Sequence, residues 1–244
     1  MNTRIVIFII IFSACLLLPV ISKAQVSLSL HLDAGSNNVS DGLFLQTAAL
    51  GEFRHDKNTI SGGFQIDLKG PGSTVFSGTL LKASREFSFG EFPFKVHGLF
   101  VYNRFSELLY EYNWGILAGI DRRHFEFNLG TNFRTYGITK LARERYDIDS
   151  RKKLHENWNL MYRATWNLKP AGNEWNAGLT LTNADHFIIE QETNPVLYLK
   201  GTWRVTSPVT LFVESWYKSS GAFNLRVNHF GYFFRTGVLW EINQ

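Results

Sequence analysis

The 244-residue chain carries 25 Lys and Arg against 21 Asp and Glu, with no basic run that resembles a phosphate-binding stripe, so nucleic acid is excluded as an expected partner. The single cysteine, Cys15, falls in the N-terminal segment expected to be removed, so the remaining chain has no disulfide framework and no thiolate chemistry. Aromatic residues reach 15%, with 21 Phe, 9 Tyr and 7 Trp in a chain only 45% hydrophobic, so apolarity here is a matter of pattern.

The first residues read as a secretory signal. Met1–Arg4 is a positive start, Ile5–Ile21 is an apolar run, and Ser22-Lys23-Ala24 places small residues at −3 and −1 of a cut before Gln25. The run is short for a membrane-spanning helix, and no later stretch reaches 18 consecutive apolar residues. The expected organisation is a cleaved signal at 1–24 and one domain at 25–244. Removing the signal takes away Arg4 and Lys23 and leaves +2 on the mature chain.

From Val26 onward the pattern has a period of two, the signature of strands, because successive side chains leave a strand on opposite faces. "VSLSLHLDA" alternates Val26, Leu28, Leu30 and Leu32 with Ser27, Ser29, His31 and Asp33. "GLFLQTAALGEFR" follows, turns at "HDKN", and "TISGGFQIDLK" sets Ile60, Phe64, Ile66 and Leu68 against Ser61, Gln65, Asp67 and Lys69. The facing of residues 74–87 is irregular and stays open. "FKVHGLFVYNRF" and "LLYEYNWGILAGID" come next, then "FEFNLGTNFRTYG" after "DRRH". "NWNLMYRATWNL" interleaves Trp158, Leu160, Tyr162 and Trp166 with Asn157, Asn159, Arg163 and Asn167. "EWNAGLTLTN", "PVLYLKGTWRV", "VTLFVESWYKS" and "VNHFGYFFRTGVLWEI" complete about twelve strands, an even number, as bacterial outer-membrane barrels have. Most run ten or more residues, enough for a tilted strand to cross a bilayer. The two longest connections, 137–156 and 184–195, fall in the same phase, while the alternate set ("HDKN", "FSFGEFP", "DRRH", "KPAGN", "TSP") is short throughout.

The expected fold is therefore an all-β, membrane-spanning antiparallel up-and-down barrel. Its apolar series faces lipid, including Tyr112, Trp114, Phe125, Phe127, Trp158, Tyr162, Trp166, Trp175, Phe230, Tyr232, Phe234 and Trp240. The polar series, with its glycines giving room to neighbouring arginines, faces the lumen. Lumen candidates are Glu52, Arg54, Asp67, Lys95, Glu111, Glu126, Arg134, Arg163, Glu214, Lys218, His229, Arg235 and Glu241. Acids and bases are nearly matched, so neither anion nor cation selectivity is indicated. A twelve-stranded lumen is also narrower than that of general porins. The competing arrangement, a secreted soluble ligand-binding barrel with the apolar series inside, would have to hold all of these aromatics in its core.

A lipid-cleaving barrel needs a serine, a histidine and an orienting group within reach. His31 and His229 fall on strands that closure makes neighbours, with Ser27 and Ser29 nearby, but all sit on the inward series, away from lipid. No catalytic residue is assigned and no enzyme is expected. No metal spacing and no cofactor motif stand out. The outer loop 137–156 carries Lys140, Arg143, Arg145, Arg151, Lys152 and Lys153 against Glu144, Asp147 and Asp149. It reads as a solvated loop of mixed charge that could also meet anionic lipopolysaccharide or an envelope protein.

The "SKAQ" signal end, the immediate first strand and the aromatic alternation resemble the small outer-membrane β-barrel proteins of Bacteroidota. That resemblance implies an outer-membrane location in a didermic bacterium and a role as a narrow channel or as a structural or accessory subunit of an envelope complex. A barrel enzyme acting on lipids is the alternative class. The resemblance assigns no functional residue. The ending "LWEINQ" departs from the terminal aromatic common in barrels of other bacteria.

Overall fold

The computed structural model describes residues 24–37, 42–69, 75–90, 92–104, 108–122, 124–149, 154–155, 159–168, 174–183, 196–218 and 230–242. Residues 1–23 of the expected signal segment, Trp158 and His229 lie outside them, as do the side chains of Lys218 and Phe230. The strands are β1 (Gln25–Asn37), β2 (Gly42–His55), β3 (Asn58–Asp67), β4 (Phe76–Phe89), β5 (Phe92–Arg104), β6 (Leu109–Arg122), β7 (Phe125–Ile138), β8 (Leu154–His155), β9 (Asn159–Leu168), β10 (Trp175–Thr182), β11 (Val196–Thr206), β12 (Val209–Lys218) and β13 (Phe230–Ile242). β8 is a two-residue pairing against Thr135 and Tyr136. The other twelve pair antiparallel in chain order, and β1 pairs β13 to close the sheet into a barrel.

Closure abolishes unpaired sheet edges, which is what permits strands to lie in lipid at all. The pair registers accumulate a stagger of about 14 residues around the barrel, which corresponds to a strand tilt of roughly 40°. Both described ends of the wall, Gln25 and Ile242, lie at the rim carrying the short connections, here the turn end. The opposite rim, the loop end, carries the long connections at 139–158 and 183–195.

The outer wall is apolar from rim to rim. Ile60 is 57% exposed, Trp114 56%, Leu199 58%, Val213 56% and Phe234 55%. A water-soluble protein rarely exposes a contiguous apolar patch beyond a few hundred Å². Tryptophans gather towards the turn end, where Trp175 stacks on Trp203 at 5.3 Å and Trp240 is half exposed. Tyrosines gather at the loop end, where Tyr102, Tyr110 and Tyr112 form one cluster with ring centroids 5.3–6.1 Å apart. Two aromatic girdles around an apolar band are the exterior of a membrane-spanning barrel.

Two local features differ from the periodic reading. β4 carries a bulge where Gln65 pairs Gly78 but Ile66 pairs Phe76, leaving Ser77 extra. Phe76 therefore faces out before the bulge, and Leu81 and Ala83 face out after it, while Leu80, Lys82 and Ser84 turn inward. Residues 137–156, expected as loop throughout, contain the helix α1 (Lys140–Tyr146). The Thr139 hydroxyl caps it by accepting from the Ala142 N–H, Asp147 ends it in the left-handed conformation, and Lys140 reaches Glu144 one turn on at 3.5 Å. These signals are local and carry no long apolar period.

The glycines of the inward series serve a different purpose from the one expected. A Cβ on Gly237 would sit 2.4 Å from the Leu30 carbonyl, 2.6 Å from Phe212 Cζ and 2.7 Å from His31 Cβ. On Gly115 it would press on Leu99 and Met161 at 3.0 and 3.1 Å. At these two positions room is made for aromatic and aliphatic side chains, and at Gly119 and Gly130 for the neighbouring strand's backbone, not for arginines. Gly237→Ala is expected to cost about 1–3 kcal/mol by overpacking. Gly51→Ala, with nothing within 4 Å of the added carbon, is expected to stay within about 0.5 kcal/mol of wild type. Urea unfolding of the refolded barrel measures both.

Candidate functional site: the barrel lumen

Alternation places one side chain in two inside the wall, and the inside divides into layers. On the loop-end half, Arg235 of β13 donates to Asp33 of β1 through Nε at 2.8 Å and NH2 at 2.9 Å, a bidentate pair. Its NH1 lies 3.5 Å from Glu214 Oε2 on β12. Glu214 also accepts from Trp216 Nε1 at 2.9 Å and meets Lys200 Nζ at 2.9 Å. The Arg235 guanidinium lies 5.2 Å from the Trp216 ring centroid and 5.6 Å from that of Phe233. Asp33, Glu214 and Arg235 are all buried, so the network meets the condition that buried charges be paired.

A second polar group spans β6 and β7. Arg134 Nε stands 3.5 Å from Glu111 Oε1, its NH1 donates to the Tyr136 hydroxyl at 2.9 Å, and Asn132 donates to Asn113 at 3.1 Å. Glu111 and Asn113 are fully buried.

Between and beside these groups the lumen also holds apolar clusters, which the sequence pattern did not suggest. Leu80, Leu99, Val101, Leu117 and Met161 form one buried cluster inside the barrel, with Leu50 against it. Val196, Tyr198, Trp216 and Phe233 form another, with Phe44 against it. Trp216 is the centre of a stack, 4.0 Å from Tyr198 and 5.1 Å from Phe233. Together these clusters and the two polar groups occupy the loop-end half and the middle of the lumen.

The remaining lumen candidates lie towards the rims. Asp67 is at the loop end, where its Oδ1 accepts from the Lys69 N–H at 2.9 Å. Glu52, Arg54 and Glu241 line a cavity at the turn end. Lys95, Glu126 and Arg163 line a second cavity there, with Lys95 at 3.3 Å from Glu86. His31 stands opposite Gly237, 3.8 Å from Asp33 and edge-on to Phe212. It sits in the charged network, while Ser27 and Ser29 line the first turn-end cavity. Among the described residues, no group of three or more His, Cys, Asp or Glu could hold a metal ion.

Ten of the aromatics expected on the outer face have described side chains. Tyr112, Trp114, Phe125, Phe127, Trp166, Trp175, Tyr232, Phe234 and Trp240 are exposed on the outer wall, and Tyr162 is half-buried. The residues that the periodic reading missed are the inward Lys82, Lys200, Tyr198, Trp216 and Phe233. Lys82 was hidden by the β4 bulge. Phe233 was hidden by its neighbours, because "YFF" puts aromatics on both faces.

No family model and no curated protein matches the chain. Solved structures similar to it include Omp33, an outer membrane protein of Acinetobacter baumannii, at 8% identity and a TM-score of 0.47, covering 89% of this chain and 98% of that one. The translocator domain of the autotransporter NalP from Neisseria meningitidis is similar at 11% identity and a TM-score of 0.41, covering 89% and 88%. The outer membrane phospholipase A of Escherichia coli is similar at 7% identity and a TM-score of 0.41, covering 90% of each chain. No residue role passes to this chain at such identities.

Proposed function

We propose that the chain is an integral barrel of a bacterial outer membrane that does not conduct freely, and that it serves as a structural or accessory subunit of an envelope complex. The observation that carries this reading is the filled lumen: the Arg235 network and the two apolar clusters cross the path a permeant would take. The apolar outer wall with its two girdles supports immersion in lipid, and the turn end would then face the periplasm. Lipid and lipopolysaccharide are its surroundings. An envelope protein is the partner class, and α1, with Arg143 and Arg145 in its last turn on the loop side, is a surface for it. A lipid-cleaving role is disfavoured because Ser27, Ser29 and His31 belong to the inward series. The test is single-channel recording in a planar bilayer. The refolded barrel is expected to give no stable conductance steps, and regular steps from wild-type protein would overturn the closed-lumen reading.

A further inference from the structure

The turn-end half of the lumen is not filled. Two cavities lie there, of about 370 and 330 Å³. The first reaches the rim between Gln25, Arg54 and Glu241. Lys82 of β4 and Arg163 of β9 line both cavities.

The charges around them are unevenly matched. Lys95 has Glu86 at 3.3 Å, and Lys200 has Glu214 at 2.9 Å. Glu126 accepts from Asn128 at 2.6 Å. Glu52, Asp121, Glu126 and Glu241 also border the cavities, yet none forms an ion pair with Lys82 or Arg163 among the described residues. Lys82 has no hydrogen bond there either. Arg163 spends NH2 on the Tyr198 hydroxyl, and its Nε is buried without a partner. Asn176 Oδ1, on the second cavity, is likewise buried without a donor. A buried guanidinium N–H and a buried amide oxygen without partners, beside an unpaired lysine, call for a ligand or ordered water. Two cationic side chains lining the same space fit an oxyanion whose oxygens accept from Lys82 and Arg163.

We propose that this blind vestibule binds a small oxyanion of the phosphate class between Lys82 and Arg163, entering from the turn end. Its exposure to the periplasm rests on the membrane reading above, whereas the binding itself does not. The probe is inorganic phosphate, titrated by calorimetry into the full-length barrel in a phosphate-free maltoside detergent at constant ionic strength. Saturable binding at one site is expected, weakened at least about tenfold by Lys82→Gln and by Arg163→Gln and unchanged by Lys140→Gln on α1. Retained heat-modifiable gel migration of each variant shows that it folds. Lack of saturation, wild-type affinity in either lumen variant, or full displacement by equivalent chloride would overturn the proposal. A barrel that conducts yet binds phosphate through these two residues would overturn the closed lumen and leave the site standing.

Discussion

Arg235→Ala is expected to lower the stability of the folded barrel by about 3–5 kcal/mol, because it leaves buried carboxylates without their counter-charge. Asp33 loses both halves of a bidentate pair and keeps, among the described residues, His31 at 3.8 Å as an ionic neighbour. Glu214 is better provided, since Lys200 and the Trp216 indole remain. The guanidinium also fills space between the Trp216 and Phe233 rings, so the alanine leaves a gap in the aromatic stack as well. Arg235→Lys should fall between, because an ammonium cannot reproduce the two-pronged geometry. Replacing both partners, Asp33→Leu with Arg235→Met, should recover much of the loss, as exchanging a buried ion pair for apolar groups of similar volume is often neutral. Urea unfolding in lipid vesicles, followed by tryptophan fluorescence, reads all three. An alanine variant within 1 kcal/mol of wild type would mean that water reaches this network and that the loop-end half of the lumen is wetter than its burial indicates.

The architecture was legible because lipid imposes a hard rule on every wall strand: one face apolar, the other free to be polar. "NWNLMYRATWNL" obeys it, and Leu160 and Trp166 are exposed outside while Met161 and Arg163 are inside. The rule says nothing about how the inside is filled. Arg134, Arg163, Glu214 and Arg235 could be named as inward from their phase, but not which would meet. Partners such as Asp33 and Arg235 are 202 residues apart in sequence and are joined only by closure of β1 on β13. Met161 shares the inward phase of Arg163, whereas Trp216 and Phe233 went unnamed as lumen residues for a plainer reason. A large apolar residue in a barrel strand reads as lipid-facing, whereas a twelve-stranded lumen has volume to fill with such residues if it is to close. Lys82 was lost to a single extra residue, since a bulge reverses the facing of everything beyond it. Thus the fold is written in the period and the site in its exceptions.

Leu199→Arg separates the membrane reading from a water-soluble barrel by sign and size. Leu199 is already 58% exposed and lies on β11 between the level of Trp203, in the turn-end girdle, and that of Leu197, paired with Tyr217 near the loop end. In water an arginine at such a site replaces an exposed leucine and changes stability by no more than about 0.5 kcal/mol. At the bilayer midplane the same change costs about 2–4 kcal/mol, because the guanidinium must snorkel or carry water with it. The cost should shrink to about 1 kcal/mol or less for Trp203→Arg measured against Trp203→Leu, since that level is near the interface. Refolding titrations in vesicles give the gradient between the two positions. A flat profile, with Leu199→Arg no worse than Trp203→Arg, would remove the apolar wall from lipid and sink the membrane assignment. A steep one ties the period-two pattern to the bilayer that selected it.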